Sequence, residues 1–390
     1  MIIPPADRLN EVKEYYFSKK LQEIRDLEAK GMDILNLGIG SPDLPPSKET
    51  IEALVASSHS PSNHGYQPYR GIASLRKAIS KYQAGVYGIE LDPDTEILPL
   101  MGSKEGITHI SLAFLNPGDK VLVPELGYPA YSAVSEMVGA KTVQYPLKED
   151  DGCWIPDWSK MDSTAYTDAK IMWVNYPHMP TGTPPSAGLF SEIITYAKKN
   201  QILVCHDNPY SRVLNQAEPV SLLSFEDAKD NCIELNSMSK SHNMAGWRIG
   251  WVSGSKDYID TILRIKSNFD SGMFKGLQDA AVLALENPES WHQERNQIYA
   301  DRRQWVKKIL DRLGCTYNKN QVGMFIWAKI PENVDDVERW IDHILYNNHV
   351  FITPGFVFGE KGRDYIRLSL CSDQTMFEEA YKRLGNINFK

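Results

Sequence analysis

The sequence predicts an α/β protein, with a large domain built on a mostly parallel sheet flanked by helices and a smaller α+β domain after it. Three observations predict it. Short, largely apolar runs recur at Lys120–Val123, Ile171–Val174, Ile202–Cys205, Ile233–Leu235 and Ile249–Val252, and helix-like stretches such as Leu189–Lys199 fill the intervals. These runs are apolar at consecutive rather than alternate positions, the pattern of strands buried on both faces under helices. From about residue 286 the alternation gives way to a different texture.

Along the chain, a charged helix is expected over roughly 8–30, with apolar positions at Val12, Tyr15, Tyr16, Leu21, Ile24 and Leu27. Ile34–Leu37 reads as a short strand ending in the Gly/Pro-rich turn Gly38-Ile-Gly40-Ser-Pro-Asp. Gly102-Ser-Lys-Glu-Gly106 precedes a helical pattern through Ile107, Ile110 and Ala113. The last part predicts a helix at Trp291–Leu313, a strand after Gly323, a helix at Val334–Asn348, and strands at Val350–Thr353 and Tyr365–Leu370. The expected division is residues 1–45 as a segment joining the small domain, 46–285 as the large domain and 286–390 as the small one.

A chain of 390 residues exceeds one small core. A formal charge of −8 argues against nucleic acid or an anionic membrane as partner, though not against a small anion held by a few local cations. The five cysteines (153, 205, 232, 315 and 371) are scattered and lack CxxC spacing, so neither a disulfide framework nor a zinc site is expected. No repeat, no membrane-length apolar run and no secretory h-region is visible, and a cytoplasmic protein is expected.

In sheets of this kind ligands sit beyond the carboxyl ends of the strands. Useful residues should then follow the apolar runs, and Asn175, Asp207 and Ser237 to Lys240 do so. Lys240 stands in Ser237-Met-Ser-Lys-Ser-His-Asn-Met-Ala-Gly-Trp-Arg248, where an amine able to form a Schiff base is flanked by hydroxyls and an arginine fork suited to a phosphate. Gly102-Ser103 either presents helix N–H groups to a phosphate or is an ordinary cap. Tyr128 either stacks on a planar ring or plugs its loop. Asp207 either pairs with a protonated ring nitrogen or caps the turn after it, and Tyr210 either donates to a cofactor oxygen or packs. Arg367, inside an apolar strand pattern, calls for a substrate carboxylate or a structural partner. His178, His206 and His242 lack zinc-like spacing and read as supporting residues, with no metal expected. Gly38 and Gly40 lack the third glycine of a dinucleotide fingerprint.

Taken in order, LGIGSPDLPP, HGYQPYRGIASLR, GSKEG, ELGYPAY, VNYPHMPTG, HDNPY, SMSKSHNMAGWRIG and YIRLSL make the chain resemble the fold-type I pyridoxal-phosphate aminotransferases of class I/II over nearly its whole length. The resemblance implies pyridoxal 5'-phosphate bonded to Lys240, whose freed amine then shuttles the proton. It implies Asp207 on the pyridine nitrogen, Tyr210 on the phenolic oxygen and Tyr128 stacked on the ring. Ser103, Lys104 (through its backbone), Ser237, Ser239 and Arg248 would surround the phosphate, Arg367 would hold the substrate α-carboxylate and Gly40 would line the pocket. Tyr66 resembles the tyrosine that reaches the neighbouring subunit's phosphate, which implies a homodimer with shared sites. The implied activity is amino transfer from an L-amino acid to a 2-oxo acid, 2-oxoglutarate first among them. A lyase on the same fold is the alternative, and a non-catalytic regulator is disfavoured because no DNA-binding module is expected before the first cofactor motif.

Two departures matter. The family's usual Asn-Pro-Thr-Gly is here Met179-Pro-Thr-Gly182, so a side-chain donor to the phenolic oxygen is missing, while Asn175 at the start of the motif is retained. The stretch Ser267–Gln278 carries no arginine of the kind aspartate-specific relatives use, and instead resembles the group containing alanine, methionine and diaminopimelate aminotransferases.

Overall fold

The computed structural model describes residues 3–9, 16–215 and 217–386. Its centre is a seven-stranded sheet in the order Ile97–Leu100, Gly250–Ser253, Cys232–Ser237, Leu203–Asn208, Ile171–Val174, Lys120–Pro124 and Lys141–Tyr145. Successive neighbours from Cys232–Ser237 to Lys141–Tyr145 run parallel. Gly250–Ser253 is the exception, antiparallel to both its neighbours. That reversal has a consequence for the site, because a strand running backwards begins where the parallel strands end. Arg248, just before it, therefore shares an edge with the residues that follow the parallel strands.

Consecutive apolar residues give each strand two buried faces. Val121, Val123, Ile171, Trp173 and Cys205 pack on one side with Ile107 and Ile110 of the helix Ser103–Phe114 and Ile259 and Ile262 of Lys256–Lys266. Leu122, Met172, Val174 and Val204 pack on the other with Leu189 and Phe190 of Ala187–Asn200. Covering both faces this way is what makes the strands read as unbroken apolar runs.

The helix Ser103–Phe114 begins at Ser103, so Gly106 lies inside it and only Gly102 precedes it. Gly102 has φ +83°, and a Cβ there would fall 2.2 Å from Arg248 Nη2, so the position demands glycine twice over. The first helix runs from Tyr16 to Ala29, and the expected apolar positions Val12 and Tyr15 lie outside the described residues. Lys20 on it reaches Glu23 at 2.8 Å and Asp342 at 2.9 Å. Leu35–Asn36 pairs in parallel with Val350–Phe351. Phe325–Lys329, Tyr365–Ser369 and Thr353–Pro354 form an antiparallel three-stranded sheet, and the 24-residue helix Glu289–Arg312 precedes it. Among the described residues no helix is long and apolar enough to cross a membrane.

Candidate active site

The carboxyl edge of the central sheet opens into a cleft of about 360 Å³. Every site residue expected from the sequence lines it except Tyr66, which is 94% exposed on this chain. The convergence follows from strand phase: Asn175 leaves one strand, Asp207 ends the next, and Ser237 to Lys240 pass from a third into a one-turn helix.

Asp207 is the most constrained group. Its Oδ2 accepts from the Tyr131 hydroxyl at 2.9 Å, whereas its buried Oδ1 has no hydrogen-bond partner among the described residues. Burial pushes its carboxyl up to about 6, and the Tyr131 hydroxyl, nearby His206 and the Ser103 hydroxyl offset only part of that. That oxygen is available to a donor brought into the cleft. Tyr131 was not singled out by the sequence. It lies on the helix Ala130–Met137, three residues after Tyr128, with its ring stacked on Trp173 at 5.1 Å. That spacing in Tyr128-Pro-Ala-Tyr131 is the signal that could have found it.

Lys240 reaches into the cleft and donates to the Gly40 carbonyl. Desolvation lowers its pKa, assisted by the positive charges of Arg367 and Arg248, which moves the balance toward the neutral, nucleophilic amine. Gly40 has no room for a side chain, since a Cβ would come within 2.2 Å of the Phe325 ring.

At one end of the cleft Ser103 opens a twelve-residue helix, Ser237 Oγ caps the turn through Ser239 N at 3.2 Å, and Arg248 donates to Ser239 Oγ at 3.2 Å. Hydroxyls, helix N–H groups and a guanidinium together suit a phosphate dianion. At the other end Arg367 donates to the Gly38 carbonyl at 2.9 Å, with its guanidinium 3.9 Å from the Phe325 ring centre and 4.5 Å from that of Phe358. Met179 Sδ lies 3.4 Å from Arg367 Nη1. Asn175 is held at both ends: its Nδ2 donates to the Asp207 carbonyl at 2.6 Å, and its Oδ1 accepts from Met179 N at 2.8 Å. Its side chain braces two strand ends. The apolar contributors Phe17, Leu21, Ile39 and Phe358 were also unforeseen, because they come from segments far apart in the chain.

The three histidines are internal. His178 bonds Thr181 Oγ1 at 2.8 Å and the Leu126 carbonyl at 3.1 Å, and burial pulls its pKa down to about 4. His206 faces Glu234 and His242 faces Ser241. Glu105, His109 and Asp270 offer ligand atoms within 4.8 Å of one another, but Asp270 is already paired with Lys266 and Glu105 with Met101 N.

A buried amine, an open buried carboxylate oxygen and a hydroxyl-arginine anion cradle in one cleft are the contacts a pyridine ring with an aldehyde and a phosphate needs, so the donor set fits pyridoxal phosphate. The fold and the site together define a pyridoxal-phosphate transferase of the α/β kind. Residues 32–384 match the family model described as aminotransferase class I and II, and the chain belongs to that family. It is similar to the LL-diaminopimelate aminotransferase of Halothermothrix orenii, 38% identical over 386 residues and 99% of each chain. It also resembles the enzyme of that name from Moorella thermoacetica, 36% identical over 98% of each chain. Substrate-bound BacF from Bacillus subtilis superposes with a TM-score of 0.93 at 35% identity, covering 99% of this chain and 98% of that one. The protein is a pyridoxal-phosphate-dependent amino acid aminotransferase, working on amino acid and 2-oxo acid substrates.

Proposed function

We propose that Lys240 is the residue bonded to the cofactor, and that the cleft carries out both half-reactions of amino transfer between an L-amino acid and a 2-oxo acid. The observation that carries this reading is the open Asp207 Oδ1 facing the same cleft as the Lys240 amine. When bound, pyridoxal phosphate supplies an electron sink for the charge left at the substrate Cα. Asp207 would take the ring N–H on its open oxygen while Tyr131 fixes the other. Tyr128 would cover one ring face and Tyr210 would donate to the phenolic oxygen. Ser103, the Lys104 backbone, Ser237, Ser239 and Arg248 would hold the phosphate. Arg367 would grip the α-carboxylate beside Gly40, and Lys240 Nζ, lightly basic because it is desolvated, would take and return the Cα proton.

Borohydride reduction of the loaded protein followed by peptide mapping should place the added mass on Lys240; mass on another lysine would sink the assignment. One half-turnover with an amino acid should leave pyridoxamine phosphate and the 2-oxo acid, whereas pyruvate with ammonia would mark elimination. The first acceptor to assay is 2-oxoglutarate. Pairing of Leu35–Asn36 with Val350–Phe351 supports the reading that residues 1–45 join the 286–390 unit.

The exposure of Tyr66 away from its own cleft supports a homodimer in which each Tyr66 serves the partner's phosphate. Mixing Lys240→Ala with Tyr66→Ala subunits should then restore activity in the hybrid, since one of its two sites has both residues. No recovery on mixing would count against sharing.

A further inference from the structure

We infer that Arg295 is a positioning residue for the reaction: by forking two main-chain carbonyls, it fixes where the Lys240 amine stands relative to Tyr210. The inference rests on the reading of Lys240 as the cofactor-bonded base and goes past it, to what holds that base in place.

Lys240 sits in a four-residue helix, Met238–Ser241. So short a helix leaves its carbonyl end to outside donors. One comes from the helix Glu289–Arg312, where Arg295 Nη1 donates to the Ser241 carbonyl, directly after Lys240. Nη2 of the same guanidinium donates to the Arg212 carbonyl, in the turn that Val213 N closes on the Tyr210 carbonyl at 2.8 Å. The segments that follow two neighbouring strands thus share one planar group. Asn296 completes the clamp. Its Oδ1 accepts from Arg295 Nη2 at 3.0 Å and from Leu214 N at 3.3 Å, and its Nδ2 donates to the Arg212 carbonyl at 3.2 Å. Leu214 has φ +49°, a left-handed conformation that a leucine keeps only where its surroundings impose it.

Holding a guanidinium here is unfavourable in itself. Arg295 is 3% exposed, and burial pulls its pKa down to about 10. Among the described residues its hydrogen-bond partners are neutral: the two carbonyls, Asn296, and His292 at 3.4 Å. Burial and the neighbouring arginines hold the pKa of both His292 and His242 below the ordinary imidazole value. An apolar side chain would fill the space without desolvating a charge. What arginine supplies that such a side chain cannot is the rigid fork. The reaction has a use for it, because a displacement of about 1 Å at the reacting groups can slow a rate by about 100-fold.

The test uses the holoenzyme with Arg295→Lys, which keeps the charge and loses the fork. With L-glutamate as amino donor, the half-reaction should slow about 10- to 100-fold with KM little changed. The midpoint of the bound cofactor's absorbance change should rise by about half to one pH unit, because Tyr210 is no longer aimed at the phenolic oxygen. That midpoint decides the question whether or not L-glutamate is a donor. In a Lys240→Ala background rescued by free methylamine, adding Arg295→Lys should have almost no effect on the rate, since an untethered amine needs no placing. A merely structural role predicts an unmoved midpoint and the same slowing in the rescued enzyme, and either result overturns the inference. Should Arg295→Lys fold poorly, Asn296→Ala loosens only the Tyr210 side of the clamp and should still raise the midpoint; an unmoved midpoint there overturns the inference equally. A borohydride label on a lysine other than Lys240 would instead sink the reading beneath it.

Discussion

Glu234 and His206 occupy directly paired positions on adjacent strands, with Glu234 Oε2 2.8 Å from His206 Nδ1 and both side chains sealed from solvent. The other ring nitrogen lies 2.9 Å from the Tyr176 carbonyl and 3.3 Å from the Tyr176 N–H. Burial alone would raise the Glu234 pKa, but His206 and hydrogen bonds from Ser221 and Asn208 outweigh it and leave the pKa below the ordinary carboxyl value. The pair sits one residue before Asp207 on its strand and three before Ser237 on the next. Replacing Glu234 with Leu leaves the buried His206, Ser221 and Asn208 without the acceptor they share, and urea unfolding should show a loss of about 1–3 kcal/mol. A His206→Phe/Glu234→Leu double variant should recover much of that loss, and equal losses in single and double variants would show that the pair is not coupled.

Asp207 should make the cofactor-free protein sensitive to pH in the opposite sense from an ordinary surface carboxylate. Burial raises its folded pKa from 3.8 to about 6, so folding favours the protonated form. The stability it contributes is full below the unfolded value and is lost as pH rises through about 6, by about 3 kcal/mol at most at 1.36 kcal/mol per unit. Denaturation of cofactor-free protein from pH 4 to 8, compared with Asp207→Asn, should show that decline only in the native sequence. Parallel curves would mean that Asp207 is not held in a desolvated state.

The division between what was legible in the sequence and what was not follows chain separation. Asn175, Asp207 and Lys240 were readable because each follows a run apolar on both faces, and strand phase alone sends them to one edge. The antiparallel course of Gly250–Ser253 was not readable, since an apolar run carries no direction. Nor were the cleft's partnerships, because Tyr131 meets Asp207 across 76 positions and Met179 meets Arg367 across 188. Such contacts depend on which strands are neighbours, and local pattern is silent on that.

Met179 should retune the bound cofactor. The family asparagine at this position donates to the ring's phenolic oxygen; methionine has no N–H to give, and Asn175 already commits one of its two Nδ2 N–H groups to the Asp207 carbonyl. The missing bond to a charged acceptor is worth about 1.5–3 kcal/mol. That corresponds to about one to two pH units in the midpoint of the bound cofactor's absorbance change. Met179→Asn should therefore titrate at lower pH than the native protein. The same substitution removes the sulfur from beside Arg367, so a change in carboxylate affinity is expected alongside it. Superimposable titration curves would remove the idea.

Arg302 should act on the cleft without touching it. From the helix Glu289–Arg312 its Nη1 and Nη2 each lie 2.7 Å from an oxygen of Asp43, a forked pair, and Nη1 also donates to the Leu370 carbonyl at 3.1 Å. Asp43 ends the turn that carries Gly38 and Gly40, whose carbonyls receive Arg367 and Lys240, and Leu370 follows the strand that carries Arg367. One guanidinium thus ties both sides of the carboxylate-binding end to the same helix. The geometry is specific to a fork, so lysine should not replace it. Arg302→Lys and Asp43→Asn should each lower kcat/KM for the amino donor by about 10-fold or more, matching a charged hydrogen bond of about 1.5–3 kcal/mol. The loss should fall mainly in KM, because the turn positions the substrate and does not move protons. The double variant should lose little more than either single one, whereas additive losses would show that the two residues act on the cleft separately.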